Sequence, residues 1–212
     1  MKTLKHILPV IAALLLPPAC SRDEMDKTVF IPDENDRKLP AYTEWGYNSF
    51  GAKYERSYFI VAGNMVPCKI TYREGTLHFS LRGHVTGEVG YPYGKMTLTL
   101  SFPVSKKMED YRDLMFLHNT KIDLTGNDCT VTIENDSAVP VAVSPLRGCL
   151  TFKRAQLLSI DDQVSKVILS GVFDMEYLTN NVVEAIEDGR FDVSIDNSDF
   201  YGYPTETAGQ DR

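Results

Sequence analysis

Between Cys68 and Leu81 the chain alternates apolar and polar residues on both sides of a two-residue break, Glu74-Gly75. Strand geometry sends successive side chains to opposite faces. A tight turn at Glu74-Gly75 therefore sets Tyr72 opposite Leu77, Ile70 opposite Phe79 and Cys68 opposite Leu81 on one face. Lys69, Thr71 and Arg73 then meet Ser80, His78 and Thr76 on the other. The pattern predicts an antiparallel hairpin with one buried face, and it places Cys68 in the core as an inert thiol.

The same period continues. Met96, Leu98, Leu100 and Phe102 alternate with Thr97, Thr99 and Ser101 in a strand that ends at Pro103. Residues 106–117 are the one helical stretch, with Met108, Tyr111 and Met115 at helical spacing. Short strands are expected at 122–124, 130–134, 139–143, 150–155 and 167–177, separated by turn-forming runs such as Gly126-Asn127-Asp128. A last hairpin pairs 182–187 with 190–195 about Asp188-Gly189, bringing Ile186 opposite Phe191. The expected fold is all-β, an antiparallel β-sandwich or partly closed β-barrel of about ten strands with little helix. Gly171-Val172-Phe173-Asp174 and Gly189-Arg190-Phe191-Asp192 echo each other, but four residues do not establish a duplication.

The first residues bear on where this domain works. Lys2 and Lys5 precede an apolar run from Ile7 to Leu16, too short for a membrane span, and Ala19 stands directly before Cys20. This resembles the signal of bacterial lipoproteins, which are cut before a cysteine that carries acyl chains; Pro17 stands where that pattern has leucine. The acidic run Ser21 to Asp26 is similar to the export signal of surface lipoproteins in the Bacteroidetes. The resemblance implies a signal peptide at 1–19, lipidation of Cys20 and anchoring in the outer membrane, at the cell surface or, alternatively, on its periplasmic face. Residues 20–46, with Pro32, Pro40 and many charges, read as a flexible acidic tether of about 28 Å reach. A single β domain is expected over 47–204 and a disordered tail over 205–212.

Loss of Lys2 and Lys5 leaves a net charge of about −9, which makes nucleic acid an unsuitable partner. The body contains Cys68, Cys129 and Cys149, allowing at most one disulfide. Metal-binding spacings are absent, and no cofactor is expected. Asp33, Asn35 and Asp36, or Asp196, Asn197 and Asp199, suggest calcium loops but lack the twelve-residue spacing with a closing glutamate and read better as turns. Asp174, Glu176 and Asp192 are the carboxylates from which a glycan-active hydrolase could be assembled. No catalytic motif accompanies them. Aromatic residues beside turns form the candidate binding set: Trp45, flanked by Tyr42 and Tyr47, then Tyr91 and Tyr93, then Tyr201 and Tyr203, whose flat rings could stack on sugars or enter a protein partner.

Asn48-Ser49-Phe50-Gly51-Ala52, Gly148 to Arg154, Ser170-Gly171-Val172-Phe173 and Asp188 to Val193 together resemble a group of Bacteroidetes lipoproteins of unknown function. The resemblance implies the fold and carries no catalytic residues. The expectation is a non-enzymatic lipoprotein that binds a glycan or an envelope protein; a hydrolase and a structural or assembly subunit are the alternatives.

Overall fold

The structure, a computed structural model, describes residues 26–61, 63, 67–87, 94–136, 139–160 and 162–202. It is all-β. Among the described residues eleven strands form one sheet: β1 (Ser49–Tyr54), β2 (Ser57–Ile60), β3 (Cys68–Arg73), β4 (Thr76–Gly87), β5 (Gly94–Pro103), β6 (Thr120–Asp123), β7 (Thr130–Asn135), β8 (Val141–Ile160), β9 (Gln163–Thr179), β10 (Val182–Ile195) and β11 (Phe200–Gly202). The pairings run β4–β5–β7–β8–β9–β10–β1–β2 and return to β4. Short ladders at β2–β4 and β7–β8 complete this ring, so the sheet is a partly closed ring. Closure matters because an unpaired strand edge invites association. β3 takes the part of β4 that β2 does not reach, and β6 fills the equivalent place on β8. The sheet is antiparallel except at β11, which runs parallel to β3.

The hairpin about Glu74-Gly75 has the expected register throughout, from Arg73 opposite Thr76 to Cys68 opposite Leu81. Both turn residues have positive φ, +51° at Glu74 and +81° at Gly75, as a tight hairpin turn requires. A glutamate held there is strained. Glu74→Asn is therefore expected to stabilise the protein by about 0.5–1 kcal/mol, read as a rise in Tm.

The interior is packed rather than hollow. Phe79, Phe152 and Phe191, from three different strands, meet at centroid distances of 5.0 to 5.6 Å, and Phe102 lies 6.1 Å from Phe152. Each such pair adds about 0.5–1.5 kcal/mol beyond its buried area. Cys68 is fully buried in this core, and its thiol is pushed well up by burial. Cys129 and Cys149 are also free thiols.

Four expectations are corrected. Asp188-Gly189 is a bulge inside β10 and not a hairpin turn: the register slips between Ile186 and Gly189, and Ile186 faces Met175 while Phe191 faces Gly171. The β9–β10 turn is Asn180-Asn181, with both φ values positive. Second, the short strands expected at 139–143 and 150–155 lie on one long strand, β8, which passes Pro145 by a bulge; bulges are where a strand tolerates proline. Third, the helical stretch is a 3-10 helix, Tyr111–Leu117. Its three-residue repeat buries Tyr111, Leu114 and Leu117, whereas Met115 is only partly covered.

The fourth correction concerns the tether. Residues from Asp26 onward are packed against the barrel. Leu39 has no exposed surface, Pro32 and Pro40 form a β-bridge, and Ala41 N–H donates to Ile31 O. The charges that read as solvating are paired across the chain: Asp33 with Arg190 at 2.7 Å and Asp36 with Lys53 at 3.8 Å, while Tyr58 donates to Asp36 at 3.1 Å. The tail at 205–212 lies outside the described residues.

Candidate functional site

On the flank of the barrel, residues 42–47 cross the outer faces of β8, β9 and β10, held there by one side chain. Asp192 points outward from β10 yet is only 1% exposed, because the crossing segment covers it. Its carboxylate accepts hydrogen bonds from the backbone N–H groups of Trp45 (3.0 Å), Gly46 (2.7 Å) and Tyr47 (3.2 Å), from Thr43 Oγ1 (2.6 Å) and from Ser170 Oγ (3.0 Å). Charge-assisted bonds of this kind are stronger than neutral ones. They fix the backbone while leaving the Trp45 side of the segment outward, with Trp45 71% exposed.

A second network extends toward β8. Tyr42 donates to Glu44 Oε1 at 2.8 Å and Arg154 Nη1 to Glu44 Oε2 at 2.9 Å. Arg154 Nε donates to Gln156 Oε1 at 2.7 Å, and Gln156 Nε2 donates to Glu44 O at 3.0 Å. A bulge between Phe152 and Arg154 makes this possible, since it turns both Lys153 and Arg154 outward. Lys153 Nζ then lies 4.7 Å from the Tyr42 ring centroid. The Tyr42 hydrogen bond, helped by Arg154, holds Glu44 below its ordinary pKa despite opposing desolvation. Burial and the Glu44 bond push Tyr42 up. At neutral pH Glu44 is an anion and Tyr42 a neutral donor.

These residues, with Thr43 and Trp45, line a cleft of about 320 Å³. Tyr42 also borders a larger open cleft of about 570 Å³, reaching Arg147, Asp174, Glu176, Asp188 and Arg190. Most charges there have partners: Arg147 with Glu176 at 2.5 Å, Asp188 with Lys53 at 2.6 Å and Arg190 with Asp33. Asp174 accepts a weak contact from Cys149 Sγ at 3.6 Å. Of the three carboxylates considered for hydrolysis, Asp174 and Glu176 border this cleft, while Asp192 is buried and occupied by the crossing segment.

Of the predicted binding residues, Trp45 sits in the smaller cleft. Tyr201 borders neither; it lies on β11, 41% exposed, where its hydroxyl donates to Ser198 O and accepts from Lys69 Nζ at 3.1 Å. Cys20, Tyr91, Tyr93 and Tyr203 lie outside the described residues. Glu44, Arg154 and Gln156 escaped sequence reading because their spacing reveals nothing until β8 is laid beside residues 42–47. The two acidic groups considered for calcium form turns: Asp33 Oδ1 accepts from the N–H groups of Asn35 and Asp36, and Asp196 Oδ1 from the N–H and hydroxyl of Ser198. Among the described residues no cluster could hold a metal ion, and no helix is long and apolar enough to cross a membrane.

A separate ionic cluster ties down the start of the described chain. Lys166, 4% exposed at its side chain, pairs with Asp26 and with Asp196 at 3.5 Å. Nearby Asp199 is pushed up to about 6, first by burial and then by the charge of Asp196. A folded-state pKa above the unfolded value stabilises the fold only while the group is protonated, so this contribution is lost as pH rises from about 4 through about 6. Asp199→Asn is expected to be more stable than the parent at pH 7.5, by about 1–2 kcal/mol, with the difference vanishing near pH 4 in parallel thermal melts.

The fold and cleft define a class: an all-β ring with a packed core and an open cleft on its flank. No family model, curated protein or solved structure matches the chain.

Proposed function

We propose that the protein is a non-enzymatic outer-membrane lipoprotein, anchored through Cys20 and facing outward, whose flank cleft binds a glycan. The observation that carries the reading is Trp45: a large aromatic left 71% exposed on a backbone that Asp192 immobilises. Exposing an indole forgoes about 1.5–3 kcal/mol of burial, and an ordered aromatic contacts a ligand at little entropy cost. Beside it stand Glu44, Arg154 and Gln156, oriented by their mutual bonds. An apolar plane bordered by fixed polar groups suits the faces and hydroxyls of a sugar. The cleft volume, about 320 Å³, is that of a small-ligand site. Of the carboxylates from which a hydrolase could be assembled, Asp192 is buried and occupied by the crossing segment.

Titration of the purified domain against a panel of envelope and host oligosaccharides tests the reading. Trp45→Ala is expected to weaken binding by at least about tenfold, the loss of one aromatic anchor, with an unchanged melting temperature. Unaltered affinity in that variant would remove the site. Anchoring is checked by Cys20→Ala, which is expected to move the protein from the membrane fraction to the soluble one.

A further inference from the structure

We infer that the body sits directly on the lipid surface, with Val29, Phe30 and Ile31 as its contact; this rests on the proposed acylation of Cys20. Asp26 is pinned to the barrel by Lys166, a nearly buried cation that Asp196 also engages. Asp26 lies only six positions after Cys20, a span that reaches about 20 Å at most. The acyl chains and the Lys166 end of the barrel are therefore held within that distance of each other.

Two residues beyond the pinned Asp26, after Lys27 and Thr28, comes the exposed apolar run. Val29, Phe30 and Ile31 are 43%, 40% and 40% exposed. Their backbone is strapped down, because Val29 N–H donates to Tyr47 O and Ile31 O accepts from Ala41 N–H. Ile160, 38% exposed, lies at the β8–β9 hairpin on the same end of the ring. Three consecutive apolar side chains held outward beside an acyl anchor fit the boundary between headgroups and acyl chains. The opposite end of the β9–β10 ladder, where Val182 follows the Asn180-Asn181 turn, lies about 40 Å further along the strands. The flank cleft then runs outward from the membrane along the barrel wall.

The test uses the acylated full-length protein in vesicles of phosphatidylethanolamine and phosphatidylglycerol, with or without brominated acyl chains. The chain has a single tryptophan, so Trp45→Phe clears the background for one reporter, Phe30→Trp or Val182→Trp. The Phe30→Trp emission is expected to fall at least twofold in brominated vesicles, and the Val182→Trp emission to stay constant. Protein that floats with vesicles but shows equal emission from Phe30→Trp in both kinds overturns the seating and leaves the anchor standing. Protein that fails to float overturns the anchor and the seating together.

Discussion

Replacing Asp192 with alanine is expected to destabilise the fold by about 3–5 kcal/mol, a drop in Tm of roughly 10 °C. The carboxylate serves five donors, three of them backbone N–H groups that no side-chain movement can redirect. Removing it strands those donors beneath a covered surface, where an unmade hydrogen bond costs more than a made one contributes. Asp192→Asn retains one acceptor but turns an amide N–H₂ toward donors, so it is expected to recover less than half of the loss. Urea unfolding gives the magnitude. Hydrogen exchange at Trp45, Gly46 and Tyr47 gives the location, since local release of 42–47 must raise exchange there before the barrel strands open. The glycan binding proposed for the flank cleft should fall in the same variants even where the barrel remains folded.

The second large effect is expected at Gly171. In the β9–β10 ladder Gly171 faces Phe191 and Gly189 faces Phe173, so each ring lies over the glycine of the other strand. A Cβ at Gly171 would come 2.1 Å from Thr151 O and 2.6 Å from Phe191 Cζ. The ring could rotate away; the carbonyl belongs to the β8–β9 ladder and cannot. Gly171→Val is expected to cost at least about 3 kcal/mol, at or beyond the upper end of ordinary overpacking, and to leave little folded protein at 37 °C. Phe191→Leu in the Gly171→Ala background should relieve the ring contact but not the carbonyl contact, so its rescue is expected to be partial. Equilibrium unfolding of the double variant measures the division.

The reciprocal packing explains the echo between Gly171-Val172-Phe173 and Gly189-Arg190-Phe191. The two segments lie antiparallel to each other, and each needs a ring opposite a glycine. Visible in sequence, the echo had no meaning until the strands were paired. Asp188-Gly189 misled for a related reason. Its composition is that of a hairpin turn, and Asp188 does adopt a positive φ of +53°. The same conformation also makes a bulge, and pairing of Gly51 with Arg190 and Lys53 with Glu187 on β1 carries β10 straight through it.

Apolar alternation by itself determined the all-β class, the inward faces of β3, β4 and β5, the turn at Glu74-Gly75 and the burial of Cys68. Those features depend on neighbours a few residues apart, and a strand's faces are set by its period alone. Trp45 was also legible, as an aromatic beside a turn. What only the tertiary structure decided was closure of the ring, the docking of residues 26–47 and the cleft. Asp33 and Arg190, Glu44 and Arg154, and Asp192 and residues 43–47 are more than 100 positions apart in each case. The charge of Asp33 or Asp36 looks the same whether water or a basic side chain satisfies it. Only the folded sheet brings the partners within bonding distance, and that distance turns an apparent tether into the wall of the candidate site.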